Sequence, residues 1–170
     1  MTTRLRSAPF LVGLALFAGS LALYVSTLAP TLTYGWRGYG VDGGELLAAA
    51  KTLGVPHPPG YPTYVLLLKG FASLVRVGDY AYRGNLMSAV LASAAVTLLY
   101  AATLHIGRVL CRTAPQGLPT AGAALGASVL ATTPLFWSQA VITEVYALNA
   151  LFSAALLYIA ARLALPTPGH

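Results

Sequence analysis

Four apolar stretches, each free of acidic and basic residues along most of its length, recur down the chain: about 9–29, 84–106, 119–137 and 145–165. A helix needs about 20 mostly apolar residues to cross the ~30 Å hydrocarbon core of a bilayer. The pattern therefore predicts an all-α integral membrane protein with about four transmembrane helices. Pro9 suits a first helical turn, and Pro30 and Pro119 bracket other ends. Arg4 and Arg6 ahead of the first run imitate the start of a signal peptide, but about 20 apolar residues exceed the 7–15 of such a segment. The run is read as an uncleaved first helix. Pro62 to Val77 is apolar but short, reaching only about 24 Å as a helix. Lys69 at its middle would cost about 2.5–3.5 kcal/mol at the centre of a span. This segment is read as a helix lying along the membrane interface with Lys69 reaching out to water; the alternative is a fifth span.

Composition sharpens the class. Of 170 residues, 57% are apolar and 8% charged, against roughly 25% charged in soluble domains. The mean hydropathy is +0.72. A soluble enzyme and a disordered tail are excluded, and Cys111, the single cysteine, excludes a disulfide scaffold within the chain. The net charge of +6 comes from ten basic and four acidic residues. The bases are spread too thinly for a nucleic-acid patch, so the bilayer is the implied partner. Short segments at 1–8, 107–118 and 162–170 carry Arg4, Arg6, Arg108, Arg112 and Arg162 and no acid. By the positive-inside rule these face the cytoplasm, giving a multi-pass protein of the cell (inner) membrane with a cytoplasmic N-terminus. All four acids, Asp42, Glu45, Asp79 and Glu144, then lie on the outer side; five spans would put Glu144 inside.

No repeat or linker divides the chain, which is read as one module, 1–170, with a long outer loop over 30–83. A connection of that length is usually functional or disordered, and its Tyr, Trp, Leu and Gly content argues against disorder. In GWRGYGVDGGEL, Asp42 and Glu45 are three apart, the spacing of a capping box: Asp42 as N-cap and Glu45 at N3 of a helix through Leu53, closed by Gly54. The prolines of HPPGYP, His57 to Pro62, forbid a helix there. Capping and chemistry remain two readings of Asp42 and Glu45. His57 is either a hydrogen-bonded loop residue or a ligand, and no metal site is expected, because the three or four close ligands of a zinc site are not spelled out. Glu144, at the outer end of the third span, is either a solvated turn acid or functional, as membrane-edge acids tend to be. Trp137 and the tyrosines near span ends suit interfacial anchoring. The small residues of Ala89–Ala95 and Ala121–Ala131 suit close helix packing.

The order DGGEL, a short helix, HPPGYP, AYRGNLMSA and WSQAVITEVYALNALF, from about Pro30 to Leu157, resembles the membrane family known as domain of unknown function 2723. That family looks like a branch of the GT-C glycosyltransferases related to protein O-mannosyltransferases. Its bacterial members usually show DSGEL where this chain has Asp42–Leu46 as DGGEL. The resemblance implies transfer of a sugar from a lipid-phosphate-linked donor to an acceptor on the outer face. It also implies a first outer loop containing membrane-parallel helices. Asp42 would be the general base and Glu45 its catalytic neighbour. His57, Tyr61, Arg83, Asn85 and Glu144 would bind substrate, Arg83 and Asn85 through the donor phosphate. Such enzymes are several times longer. The chain is thus read as the N-terminal module of such an enzyme, or alternatively as a catalytically inactive structural subunit of a larger membrane complex.

Overall fold

Proline and glycine cut the apolar runs into helices at places that periodicity alone leaves open. The computed structural model describes residues 2–34, 42–115 and 117–165, with side chains in the first helix from Ala8 on. Among these residues the elements are all helical: α1 (Thr2–Ser26), α2 (Gly43–Thr52), α3 (Pro62–Leu74), α4 (Tyr80–Leu110), α5 (Gly117–Thr132), α6 (Pro134–Ala140) and α7 (Tyr146–Ala164). Three are long and apolar enough to cross a bilayer: Ala8–Ser26 within α1, α4 and α7. The protein is a membrane protein.

The expected third span, 119–137, is not one helix. It divides at Thr132 into α5, of 16 residues, and α6, of seven. Pro134 at the start of α6 lacks an N–H to continue the ladder and holds Thr133 extended, at φ −63° and ψ 134°. Pro9 does not open its helix, because α1 begins at Thr2 and carries Pro9 inside; the Pro9 carbonyl instead accepts the Tyr100 hydroxyl at 3.0 Å. The first helix stops at Ser26, short of Ala29, and α4 exceeds its predicted 84–106 at both ends.

Contacts at both ends of the helices set the topology. The Tyr24 hydroxyl of α1 donates to Ala131 O of α5 at 2.9 Å, and Ala29 N–H donates to Val141 O beyond α6 at 3.0 Å. At the other end, a side chain on Gly107 of α4 would touch Pro119 of α5, and His105 meets the Leu165 carbonyl after α7 at 2.9 Å. Hence α1, α4, α5 and α7 run alternately up and down, with α4 central. The interior between them is built from small residues: Ala89, Ala92 and Val96 of α4 meet Ala123, Ala127 and Ala131 of α5, all buried. The four-residue spacing on α5 makes a narrow stripe that lets backbones approach. Gly122 and Gly126, on its other face, meet open space.

A second, smaller core joins α2 and α3 to the upper part of α4. Leu46, Leu47 and Ala50 bury one face of α2 against Tyr64, Val65 and Leu68 of α3, positions spaced as an amphipathic helix requires. Helix α3 spans 13 residues, about 20 Å, the short helix expected there. The Lys69 ammonium donates to Lys51 O at 2.6 Å in an exposed hydrogen bond, at the last turn of α2, where the helix dipole favours a cation. Gly78, at φ 64°, makes the turn into α4, where a side chain would lie 2.7 Å from the Tyr82 ring.

One close approach ties the two cores together. A Cβ on Gly84 would collide with Thr143 Oγ1 and lie 2.9 Å from Leu47 Cδ2, so α2, α4 and the α6–α7 link converge on a glycine. Gly84→Ala is expected to cost about 1–3 kcal/mol by overpacking, read as a lower melting temperature in detergent. Gly122→Ala, facing open space, should leave it unchanged or raise it slightly through helix propensity.

Candidate functional site

Asp42, Glu45, His57 and Glu144 come together from three separate segments at the end of the bundle where α1 finishes and α4 and α7 begin. Asp42 precedes α2, but its side chain makes no capping hydrogen bond. Glu45 does not reach back to complete a capping box. It reaches across the loop, accepting His57 N–H at Oε1 (2.6 Å) and pairing with His57 Nδ1 at Oε2 (2.8 Å). The expected box is therefore absent, because the fold supplies Glu45 with a better donor than the helix end. The helix closes on Leu53, at φ 57°, one residue before the glycine expected to do so.

The HPPGYP stretch holds His57 in place. Gly60 N–H donates to His57 O at 2.9 Å, the Pro58–Pro59 bond is cis, and Gly60 and Tyr61 both take left-handed conformations, at φ 86° and 41°. Left-handed backbone at a tyrosine is strained and persists only where surroundings enforce it. Tyr61 thereby sets its ring edge-on to the imidazole, 5.5 Å between centroids at 74°. The other imidazole nitrogen, Nε2, lies 3.9 Å from Asp42 Oδ2. His57 so stands between two carboxylates, held by Glu45 and facing Asp42.

Glu144 approaches from the α6–α7 link. It is only 4% exposed, and its Oε1 accepts Asp42 N–H at 3.2 Å. It is therefore not a solvated turn acid. Its position depends on Thr143, which donates to Asn85 Oδ1 at 2.7 Å, while Asn85 Nδ2 donates to Ala29 O at 2.9 Å and Thr31 O at 3.3 Å. Asn85 is buried and knits the end of α1, the start of α4 and the link before α7. A Cβ on Gly43 would sit 3.0 Å from Thr143 O, so the chain passes closest to the link right beside Asp42.

Arg83 is not brought into this cluster. Its two terminal nitrogens donate to Ala72 O and Gly78 O, both at 3.1 Å, clamping the end of α3 to the turn before α4. Asp79 caps α4 through Tyr82 N–H at 2.7 Å and accepts the Thr31 hydroxyl; those donors hold its carboxyl below the usual carboxylate range. Trp137, read as an interfacial anchor, donates to Thr27 Oγ1 at 2.9 Å. Residues 35–41, including most of the glycine-laced segment, and His170 lie outside the described residues. Among the described residues no cluster of metal-ligating side chains forms. Thr143, Gly43 and Gly84 were missed in the sequence: each matters through a contact with a distant segment, and nothing local marks them.

The hydrogen bonds from His57 hold the Glu45 carboxyl below its ordinary value of 4.5, and the bond to Glu45, aided by the Asp42 and Glu144 charges, lifts His57 above 6.5. On the far flank of the α6–α7 link, a groove of about 750 Å³ is lined by Leu135, Gln139, Tyr146 and their neighbours.

A sequence profile of the family described as the protein O-mannosyl-transferase TMEM260 N-terminal domain matches residues 42–165. The chain is 33% identical over 157 residues to the protein O-mannosyl-transferase TMEM260 of Mus musculus, covering 92% of this chain and 20% of that one. It is 29% identical over 147 residues to the protein of the same name in Dictyostelium discoideum, covering 85% and 16%. The chain thus spans about a fifth or less of the length of these relatives. No solved structure matches it.

A folded-state rise in the His57 pKa contributes stability that is present below 6.5 and lost as pH climbs through the raised value. The Glu45 depression contributes stability present above 4.5 and lost as pH falls through the lowered value. The loop is therefore best held between those two limits. An NMR titration of His57 should give a midpoint above 6.5, and Glu45→Gln should bring it down towards that value; an unmoved midpoint would exclude the pair.

Proposed function

Since the chain belongs to the protein O-mannosyl-transferase TMEM260 N-terminal domain family, we propose that it is the acceptor-activating module of a GT-C-like membrane glycosyltransferase. In this reading a sugar, mannose by the names of the relatives, moves from a lipid-phosphate donor to a hydroxyl acceptor on the outer face. One observation carries it. The Asp42 side chain makes no helix-cap bond and faces His57 at 3.9 Å, while buried Glu144 holds the Asp42 amide.

Asp42 is the general base. It takes the proton of the acceptor hydroxyl as that oxygen attacks the anomeric carbon and the lipid phosphate leaves. A base must lie within hydrogen-bond reach of the proton it removes, and the half-exposed Asp42 carboxylate is open to an incoming acceptor. Glu45 holds the His57 imidazole beside Asp42 and raises its affinity for a proton. Tyr61 fixes the imidazole. Glu144 positions Asp42 through its amide, and Asn85 positions Glu144 through Thr143. Arg83 acts on the site by anchoring the α3–α4 turn, its terminal donors being spent on main-chain carbonyls. The groove beside Tyr146 has room for part of a lipid-linked donor.

The same reading makes α5 with α6 a fourth crossing, places the site on the outer face and keeps the N-terminus cytoplasmic, in line with the arginines at the opposite end. The second reading, a structural subunit of a larger complex, is favoured by Gly122 and Gly126, four residues apart and facing open space. It predicts co-purification with an assembly, and retained assembly in an Asp42 variant.

Asp42→Asn should lower mannosyl transfer in membranes containing the protein by about 10²–10⁴-fold, the usual contribution of a general base, at unchanged expression and melting temperature. Unchanged turnover removes Asp42 from the mechanism. In a Cys111→Ser background, single cysteines at Leu53 and Gly117 should react with an impermeant maleimide from opposite sides of the membrane; labelling from one side overturns the topology.

A further inference from the structure

At the end of the bundle away from the acids, α1, α4 and α7 diverge around a second groove, of about 500 Å³. Its apolar wall runs along α1 through Phe10, Gly13 and Leu14, and its mouth carries Arg108 from the last turn of α4 with Tyr158 and Arg162 from α7. Phe10 and Leu14 are more than half exposed, so the wall continues the outer surface of a membrane-spanning helix. The two arginines are brought together by the fold: His105 bonds to the Leu165 carbonyl at 2.9 Å, tying the last turn of α7 to that of α4. No acid is near. Asp42, Glu45, Asp79 and Glu144 all lie at the opposite end, in the cluster above and at the start of α4.

The geometry points to a binding site for one anionic phospholipid, acyl chain in the groove and headgroup phosphate between Arg108 and Arg162. Two guanidinium forks at headgroup level match the geometry of a phosphate diester, and basic pockets between membrane helices attract anionic lipids. The depth of apolar wall argues for a lipid over a free anion, since a bare phosphate has no use for Phe10 or Leu14. A lipid here would also fill a space the helices leave open and hold the three helix ends in register. The inference does not depend on glycosyl transfer at the other end.

The test is native mass spectrometry of the detergent-solubilised chain titrated with phosphatidylglycerol or with phosphatidylcholine of the same acyl chains. One phosphatidylglycerol should be retained per chain in preference to phosphatidylcholine. Each basic residue at a headgroup is worth about fivefold, so Arg108→Gln with Arg162→Gln should weaken retention about 25-fold. Arg112→Gln, at the same end with its Nε bonded to Val109 O and outside the groove, should leave retention unchanged. Equal retention of the two lipids overturns the proposal. So does displacement by millimolar inorganic phosphate, which would show a free-anion site, or an Arg112→Gln loss as large as that of the double variant. The comparison of the two lipids on the unmodified chain stands by itself should the double variant fail to fold.

Discussion

Glu144 places a carboxyl group where almost none of it meets water, and the upper end of the bundle is organised around that demand. A buried polar group without partners costs several kcal/mol, and a buried charge more. The Asp42 amide answers part of it. That amide can reach Glu144 only because Gly43 lets the start of α2 lie against Thr143, and because Gly84 lets the link lie against α4. Asn85 then holds Thr143 while satisfying two carbonyls beyond the end of α1. Satisfying one acid thus fixes the mutual positions of four segments, and Asp42 is placed as a consequence.

The site is correspondingly layered. Buried Glu144 lies beneath, the Asp42 carboxylate lies above it at the surface, and His57 covers Asp42 from the side with Glu45 behind. The inner members are rigid because they belong to a satisfied hydrogen-bond network in a close-packed interior. The outer pair is screened by solvent and responds to pH. This division suits the role proposed for Asp42, a carboxylate open to solvent whose backbone is held from beneath.

The two ends of the bundle carry opposite chemistry. One gathers the carboxylates with Lys51 and Lys69, whose charges are tied to the Tyr80 ring and to a helix end. The other leaves Arg108 and Arg162 beside an apolar groove. An apolar chain with so few charges cannot scatter them through its interior. Among the described residues, those named here are received by water, a helix terminus, an aromatic ring or a polar neighbour.

Much of the architecture was legible in the residues. The span-length apolar runs foretold helices at α1, α4 and α7, the short run with Lys69 foretold α3, and DGGEL followed by HPPGYP marked the loop that carries the candidate site. These signals are local: a run of apolar side chains or a proline acts on the chain within a few residues. What only the tertiary structure decided is long-range. Glu45 left the helix end for His57, Lys69 turned to Lys51, Arg83 went to the α3–α4 turn, and Thr143 joined Asn85 across 58 positions. The fold offered each a partner elsewhere, buried for Thr143 and exposed or partly buried for Glu45, Lys69 and Arg83. Spacing along the chain carries no record of those pairings.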